Sequence, residues 1–194
     1  PVRGKEYGFT KDTEKSWEKE YDNLSSYLME CINKNDEKIF YCLMNGEDFF
    51  GRYLNRAFGG FRTMNRCDAA ISRFSCDLDG NVYPCSSATC DSMFALKNNL
   101  TQVFKDNLIA QVRRCLDCPF KKMCGGECLI EIAYNNGINP IMCRFKQHLI
   151  LLAAYLELTY WNKNPYLYEK LQSFSIEKQK RYQKDPELYN FLSR

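Results

Sequence analysis

Only one histidine, His148, occurs in the 194 residues, and it falls within an apolar stretch. No clear Ser–His–Asp catalytic set presents itself around it, and the expected role of His148 is packing rather than ligation or general-base work. The sequence has no phosphate-binding glycine loop, no internal repeat and no low-complexity segment. Neither sign of charge dominates: 27 Lys and Arg stand against 24 Asp and Glu, for a net charge of +3. No basic stripe points to nucleic acid or to a membrane surface, so neither is an expected partner. The longest apolar run, Leu149 to Leu156, is far too short to cross a bilayer.

What the chain does have is cysteine, eleven in all, within a composition that is 45% hydrophobic. That content supports one sizeable core or two small ones. No signal peptide precedes the cysteines, so the expected compartment is the reducing cytosol. There, clustered thiols bind metal more often than they form disulfides.

The densest stretch is Cys115-Leu-Asp-Cys118-Pro-Phe-Lys-Lys-Met-Cys124-Gly-Gly-Glu-Cys128, with two, five and three residues between successive cysteines. Short loops of this kind can turn several sulfurs toward one centre, as an iron–sulfur cluster or a zinc ion requires. The Gly125-Gly126 pair allows positive φ and a close backbone approach between two ligands. Lys121 and Lys122 either offset the charge of such a centre or are simply solvated.

Helices and strands are expected on both sides of this knot. Thr10 or Asp12 caps a helix to about Asn33, with Trp17, Tyr21, Leu24, Leu28 and Ile32 on one apolar face. A shorter helix covers Gly46 to Phe58, with Phe49, Leu54 and Phe58 inward, and stops at Gly59-Gly60. Cys31 and Cys42 lie in helix-like contexts as structural thiols. Ile71–Leu78 and Val82–Cys85 read as strands around Asp79-Gly80. A two-residue loop there would put Phe74, Cys76 and Leu78 on one face with Tyr83 and Cys85. Asp77, Asp79 and Asp91 read as turn residues. Phe94–Leu96 reads as a short extended piece, and Leu100, Val103, Phe104 and Leu108 as a helix. A helix from about Arg144 to Trp161 comes after Cys143. Beyond Asn164-Pro165 lies a polar helical tail that docks through Tyr166, Tyr168, Phe174, Tyr182, Tyr189 and Phe191.

The knot has outliers: Cys67, with twelve residues between it and Gly80; Cys85, with four between Gly80 and it; and Cys143, with fourteen between Cys128 and it. Seven sulfurs exceed one tetrahedral site and suit two centres, one of them completed from elsewhere.

With Asp79-Gly-Asn-Val-Tyr-Pro-Cys85, Cys124-Gly-Gly-Glu-Cys128 and Tyr134-Asn-Asn-Gly137, the stretch from Cys67 to Cys143 closely resembles the SPASM domain. This is the C-terminal auxiliary-cluster domain of radical SAM peptide and protein maturases. The resemblance implies two [4Fe–4S] clusters. One would take Cys67, Cys85 and Cys128, and the other Cys115, Cys118, Cys124 and Cys143. Having Cys128 leave its own knot parallels two-cluster ferredoxins, in which the last cysteine of a run serves the neighbouring cluster.

In sulfatase-maturing members the first cluster's fourth ligand stands six positions before the cysteine matching Cys67. That position is Phe61 here. Cys76 is one substitute, diagonal to Cys85 at about 7 Å if the two-residue loop holds; otherwise Cys76 is a small buried hydrophobe. Cys90 is another substitute, and an open iron site able to bind a substrate thiol or amide is the third alternative.

Pro1-Val-Arg-Gly resembles the end of a late barrel strand in radical SAM enzymes. The implied organisation is a helical bridge and barrel tail over 1–60, a SPASM domain over 61–147 and a helical extension over 148–194. The implied fold is α+β, with a small antiparallel hairpin and cysteine-rich loops among α-helices.

The C-x3-C-x2-C loop that holds the SAM-cleaving cluster is absent; the nearest text, Cys124-x3-Cys128, continues Leu-Ile-Glu131. S-adenosylmethionine would then be used only through a barrel upstream. Ser86-Ser87 replaces the aspartate that sulfatase maturases carry after the cysteine matching Cys85. This points to crosslinking of a ribosomally made peptide, with an external electron donor or acceptor as a further partner. The competing readings are a structural zinc module and a stand-alone ferredoxin-like carrier.

Little apolar surface lies between Cys67 and Cys90, so that stretch should depend on metal for order. Limited proteolysis is expected to cut it in metal-free protein and spare it after loading. Equal resistance in both states would refute this dependence.

Overall fold

A computed structural model describes residues 11–46, 48–62, 69, 74–96, 113–134 and 137–182. The fold is α+β: mostly helical, with one two-stranded antiparallel sheet. The chain divides into two compact units. One holds the described residues up to Arg62 and those from Pro140 onward; the other holds those between, ending at Asn139. The first and last helical stretches, expected as separate segments, thus belong to one unit. The cysteine-bearing unit ends at Asn139.

The helical unit opens with α1, Lys11–Asn33. Trp17, Leu28 and Ile32 of its apolar face are buried, joined by Cys31. The helix stops where Asn35 takes φ 57°. There the Asn35 N–H donates to Ile32 O at 3.2 Å and the Asp36 N–H to Cys31 O at 2.9 Å, satisfying two terminal carbonyls. Helix α2, Lys38–Asn45, was not anticipated; it buries Phe40 and Met44 and leaves Cys42 exposed. Cys31 is thus a core thiol as expected, and Cys42 is not.

Helix α3, Phe49–Gly59, starts later than expected because Asp48 caps it, accepting the Gly51 N–H at 2.7 Å. Phe50, Tyr53, Leu54 and Phe58 are buried on it, and Gly60 closes it in the left-handed region. Phe49 is half-buried beneath the Lys146 ammonium, 5.6 Å from the ring centroid.

The long helix, α7, spans Pro140–Lys163 and so begins before Arg144. Proline is well suited to a first helical position, where its missing N–H costs nothing. The consequence is that Cys143 lies inside the first turn. Asn164 then caps α8, Pro165–Tyr182, by accepting the Leu167 N–H at 3.1 Å. Two of the expected rings dock, Tyr168 at 5.8 Å from Phe58 and Phe174 at 4.9 Å from Tyr41; Leu167 and Leu171 are the buried apolar residues of α8, and Tyr166 is exposed. The buried Ser175 hydroxyl donates to Asn55 O at 2.6 Å, tying α8 to α3. Tyr189 and Phe191 lie outside the described residues, as does the helix expected around Leu100–Leu108.

Tyr160 sits at the centre of this unit, its ring 4.7 Å from Phe40 and 5.9 Å from Phe58, both edge-on. Among the described residues its buried hydroxyl finds no hydrogen-bond partner. Burial pushes its phenol well above the ordinary range, and the nearby Cys31 and acidic groups add to the shift. His148 packs edge-on against Trp17 at 5.7 Å, with Nε2 3.3 Å from Asp22 Oδ1, in the packing role expected of it. No helix among the described residues is long and apolar enough to cross a membrane.

Removing the unpartnered hydroxyl by Tyr160→Phe should leave stability unchanged or raise it by about 1 kcal/mol. Leu156→Ala, in the same core, should cost about 2–5 kcal/mol. Chemical denaturation of both variants measures the contrast.

Candidate metal centre

The cysteine-bearing unit is built around a hairpin, β1 (Ser75–Cys76) with β2 (Val82–Tyr83). Its register pairs Ser75 with Tyr83 and Cys76 with Val82. The loop is therefore not the expected two-residue turn. Asp77 N–H donates to Asn81 O at 3.1 Å and Gly80 N–H to Asp77 O at 3.2 Å, enclosing Leu78-Asp79-Gly80. Gly80 takes φ 81°, as the left-handed residue of a three-residue loop must.

The Asp77 carboxylate explains this choice. Its Oδ1 accepts the Asp79 and Asn81 N–H groups at 3.0 and 2.8 Å. Its Oδ2 accepts Asn81 Nδ2 at 2.9 Å and the Tyr83 hydroxyl at 2.7 Å. Hydrogen bonds from Asn81 and then Tyr83 hold the Asp77 carboxyl below the ordinary carboxylate range. The same bond to Asp77, with burial, pushes the Tyr83 phenol up to about 12.

One residue of register reverses every side chain in a strand. Cys76 consequently lies with Val82 rather than with Tyr83, and it is exposed, as are Phe74 and Leu78. The diagonal relation to Cys85 that made Cys76 a candidate fourth ligand is absent. Cys76 is not a buried hydrophobe either.

Cys85 succeeds β2 in extended conformation and precedes a 3-10 turn, Ser86–Ala88. Its carbonyl accepts the Ala88 N–H at 3.0 Å. Cys90 ends this turn, exposed and with φ 66°. A second 3-10 turn, Ser92–Phe94, is capped by Asp91, which accepts the Met93 N–H at 3.0 Å. Asp77 and Asp91 are thus turn-forming carboxylates, as expected. Phe94 is in this turn rather than extended. Ala95 and Leu96 follow the turn beside the hairpin, where the Leu96 N–H donates to Val82 O at 2.8 Å.

The knot is spread over three short helices: α4 (Arg113–Leu116), α5 (Lys121–Cys124) and α6 (Leu129–Tyr134). Lys121 reaches back with its ammonium to the Leu116 carbonyl, giving it a structural contact inside the knot. Gly125 and Gly126 come after Cys124 at φ 66° and 86° and are both buried. The Cys124 thiol donates to Gly126 O at 3.7 Å. Glu127 is also buried, and its Oε2 accepts the Asn139 N–H at 3.1 Å. Cys128 O begins α6 by accepting the Ile132 N–H at 2.9 Å.

Two of the predicted ligands border one apolar cluster. Tyr83, Ala88 and Ile130 form a small buried cluster, and both Cys85 and Cys128 pack against it. These residues are remote in sequence and come from the hairpin and from the end of the knot. Cys115, Cys118 and Cys124 are half-buried in the same unit, while Cys143 belongs to the helical one. Cys67 lies outside the described residues.

All ten described cysteines are reduced thiols. A set of half-buried thiols beside two buried left-handed glycines has the donor chemistry of a thiolate-ligated centre. As placed, no three Cys, His, Asp or Glu side chains among the described residues converge as a metal site. Comparison with protein-family models, curated proteins and solved structures finds no match to this chain.

Two residues that matter here, Gln147 and Glu127, were not singled out from sequence, and Asp77 was read only as a turn residue. Asp77 as register-setter was legible in principle, since Asp-x-x-Gly is the pattern of a type I turn. Gln147, four residues beyond Cys143, donates from Nε2 to Cys143 Sγ at 3.8 Å, a spacing that helix periodicity could have found. The burial of Glu127 carried no sequence signal.

The Asp77–Tyr83 bond sets a pH window. The Tyr83 phenol is raised, so the bond's contribution is complete below about pH 10 and is lost as pH rises toward 12. The Asp77 carboxyl is lowered, so its contribution is complete above the ordinary carboxylate range and fades as pH falls below it. Amide exchange at Asn81 should stay slow, relative to the intrinsic rate, between those limits. Asp77→Ala should abolish this protection at every pH.

Proposed function

We propose that this chain is the auxiliary-cluster portion of a radical SAM maturase that modifies a ribosomally made peptide or protein. The observation that supports the reading best is the packing of Cys85 and Cys128 against one apolar cluster. A knot serving a single ion gives Cys128 no reason to keep company with a cysteine next to the hairpin. The crossed ligand assignment implied by the sequence pattern requires it.

In this reading Cys67, Cys85 and Cys128 hold one [4Fe–4S] cluster, and Cys115, Cys118, Cys124 and Cys143 the other. When bound, such clusters supply a one-electron acceptor or an iron site for substrate. The chain's own contribution is to present sulfurs and govern their surroundings. The Gly125-Gly126 backbone turns through left-handed φ directly after Cys124, and the Tyr83–Ala88–Ile130 cluster is the apolar surface that Cys85 and Cys128 pack against. Dry surroundings and hydrogen bonds to sulfur are the means by which a protein tunes such centres.

With Cys76 exposed on the other side of the hairpin, the first cluster is completed by Cys90 or keeps an open iron for a substrate thiol or amide. The SAM-cleaving centre is assigned to a barrel outside these 194 residues, because C-x3-C-x2-C is missing from them. The reducing cytosol is the compartment that suits these thiols, and an external electron donor or acceptor completes the system.

Anaerobic reconstitution, coupled to iron, sulfide and zinc analysis with an optical spectrum, tests the proposal. About eight irons and eight sulfides per chain with brown absorbance are expected for two [4Fe–4S] clusters. Stoichiometric zinc without sulfide would replace the reading with a structural zinc module.

A further inference from the structure

Helix α7 packs against α1, α3 and α8. Toward them it turns Leu149, Leu152, Ala153, Leu156 and Tyr160, all buried. Its remaining side faces water, where an amphipathic helix ordinarily carries polar residues. Here that side carries Leu151, Tyr155, Leu158 and Trp161, exposed by 58%, 53%, 49% and 58%. Steps of three and four residues keep them on one strip of the helix. Half-exposed side chains of this size present about 100 Å² each, so the strip amounts to about 400 Å², in the upper range of what a monomer leaves open.

The strip is its own complement. Turned end for end about the point between Ala154 and Tyr155, it brings Leu151 opposite Leu158. The small, half-buried Ala154 then comes opposite the exposed Tyr155 ring. The same register sets Trp161 over the half-buried His148 and Asn162 against Gln147. The Gln147 and Asn162 side-chain amides each carry donors and an acceptor, so they can bond across the junction. An apolar centre with an amide pair at either end has the make-up of a two-fold interface with a polar rim. Antiparallel packing also sets the helix dipole of one copy against the opposite end of the other. With a net charge of only +3, two chains repel each other weakly.

We infer that this face of α7 pairs with the same face of a second copy of this chain, the two helices running antiparallel. Pairing covers about 800 Å² of apolar surface, and the rim residues bring the total to about 1,000 Å², the lower limit of specific interfaces. The expected association is accordingly weak and reversible, half complete at about 10–100 μM. It does not depend on whether the cysteine-bearing unit holds metal.

Sedimentation equilibrium of the 194-residue chain measures the pairing, under anaerobic conditions with reductant so that its eleven cysteines form no intermolecular disulfides. Wild type is expected to move from the 22.8 kDa monomer to twice that mass as concentration rises. Leu158→Glu and Leu151→Lys should each weaken association by about tenfold or more, because each sets a charge against a leucine of the other copy. Mixed in equal amounts, the two variants should associate more tightly than either alone. The introduced lysine then faces the introduced glutamate at one end, and the native leucine pair remains at the other. Circular dichroism should show both variants as helical as wild type, since the substituted side chains are exposed.

A single 22.8 kDa species at every concentration would overturn the inference and assign the strip to a different protein or to further chain. A dimer indifferent to both substitutions would place the contact elsewhere and overturn it as well. Weakening in each variant without recovery in the mixture would overturn the antiparallel pairing. Loss of helicity in either variant would show the strip to be internal packing rather than a contact face, and would also overturn the inference.

Discussion

The Asp77 carboxylate constrains the cysteine-bearing unit more than any other single group. It accepts hydrogen bonds from two backbone amides, one side-chain amide and one phenol. The two amide bonds shape the loop, and the phenol bond fastens the loop to Tyr83, the largest member of the unit's small core. Register is set by that arrangement, and with it the identity of the side chains that share a face. Tyr83 goes inward with Ser75 opposite it, while Cys76 goes to the solvent side. An unpartnered carboxylate here would be tolerated in water. What would be lost is the choice between two loops that differ by one residue and carry opposite faces.

This hairpin also shows where sequence reading stops. Asp79-Gly80 between apolar runs does mark a turn, and the turn is where it was expected. Loop length, however, was decided by a side chain two residues upstream, whose four bonds are visible only once the chain is folded. The helical unit was far more legible. The face of Trp17, Tyr21, Leu24, Leu28 and Ile32 predicted α1 to its last residue, and Gly60 ended α3 where expected. Helix α2 escaped because eight residues give scarcely two turns of periodicity, and Phe40 and Met44 alone do not define a face. The start of α7 was set by Pro140, which also stands at the start of many loops. In the polar tail the aromatics drew attention, yet Leu167 and Leu171 carry the burial.

The cysteines show the same division. Cysteine type and spacing were enough to separate knot thiols from the core thiol Cys31. They could not separate Cys76 from Cys85, because both lie in alternating strand text and only register tells them apart. The company of Cys85 and Cys128 was implied by resemblance, not by any local pattern. Their common contact with Tyr83, Ala88 and Ile130 is a tertiary fact. Glu127 is another: an acid flanked by glycine and cysteine reads as solvated, yet it is buried and holds the Asn139 amide.

These contacts bear on how the cysteine-bearing unit could stay folded. Its buried apolar side chains among the described residues are few: Ala69, Tyr83, Ala88 and Ile130. Its elements among the described residues are short, from two-residue strands to a six-residue helix, so little helix or sheet cooperativity is available from them. Small units with so little core ordinarily need disulfides, metal or a partner surface. Disulfides are absent from the described residues. Two of its polar ties, Asp77 to the loop and Glu127 to Asn139, each close a short segment locally. Neither joins the hairpin to the knot. Tyr83, Ala88 and Ile130 pack together across that join with Cys85 and Cys128 against them, so in the proposed reading ligation of both to one centre would add a bond across it. In the proposed reading the cluster is therefore a structural element as much as a redox one, and metal loading and folding of this unit become the same equilibrium.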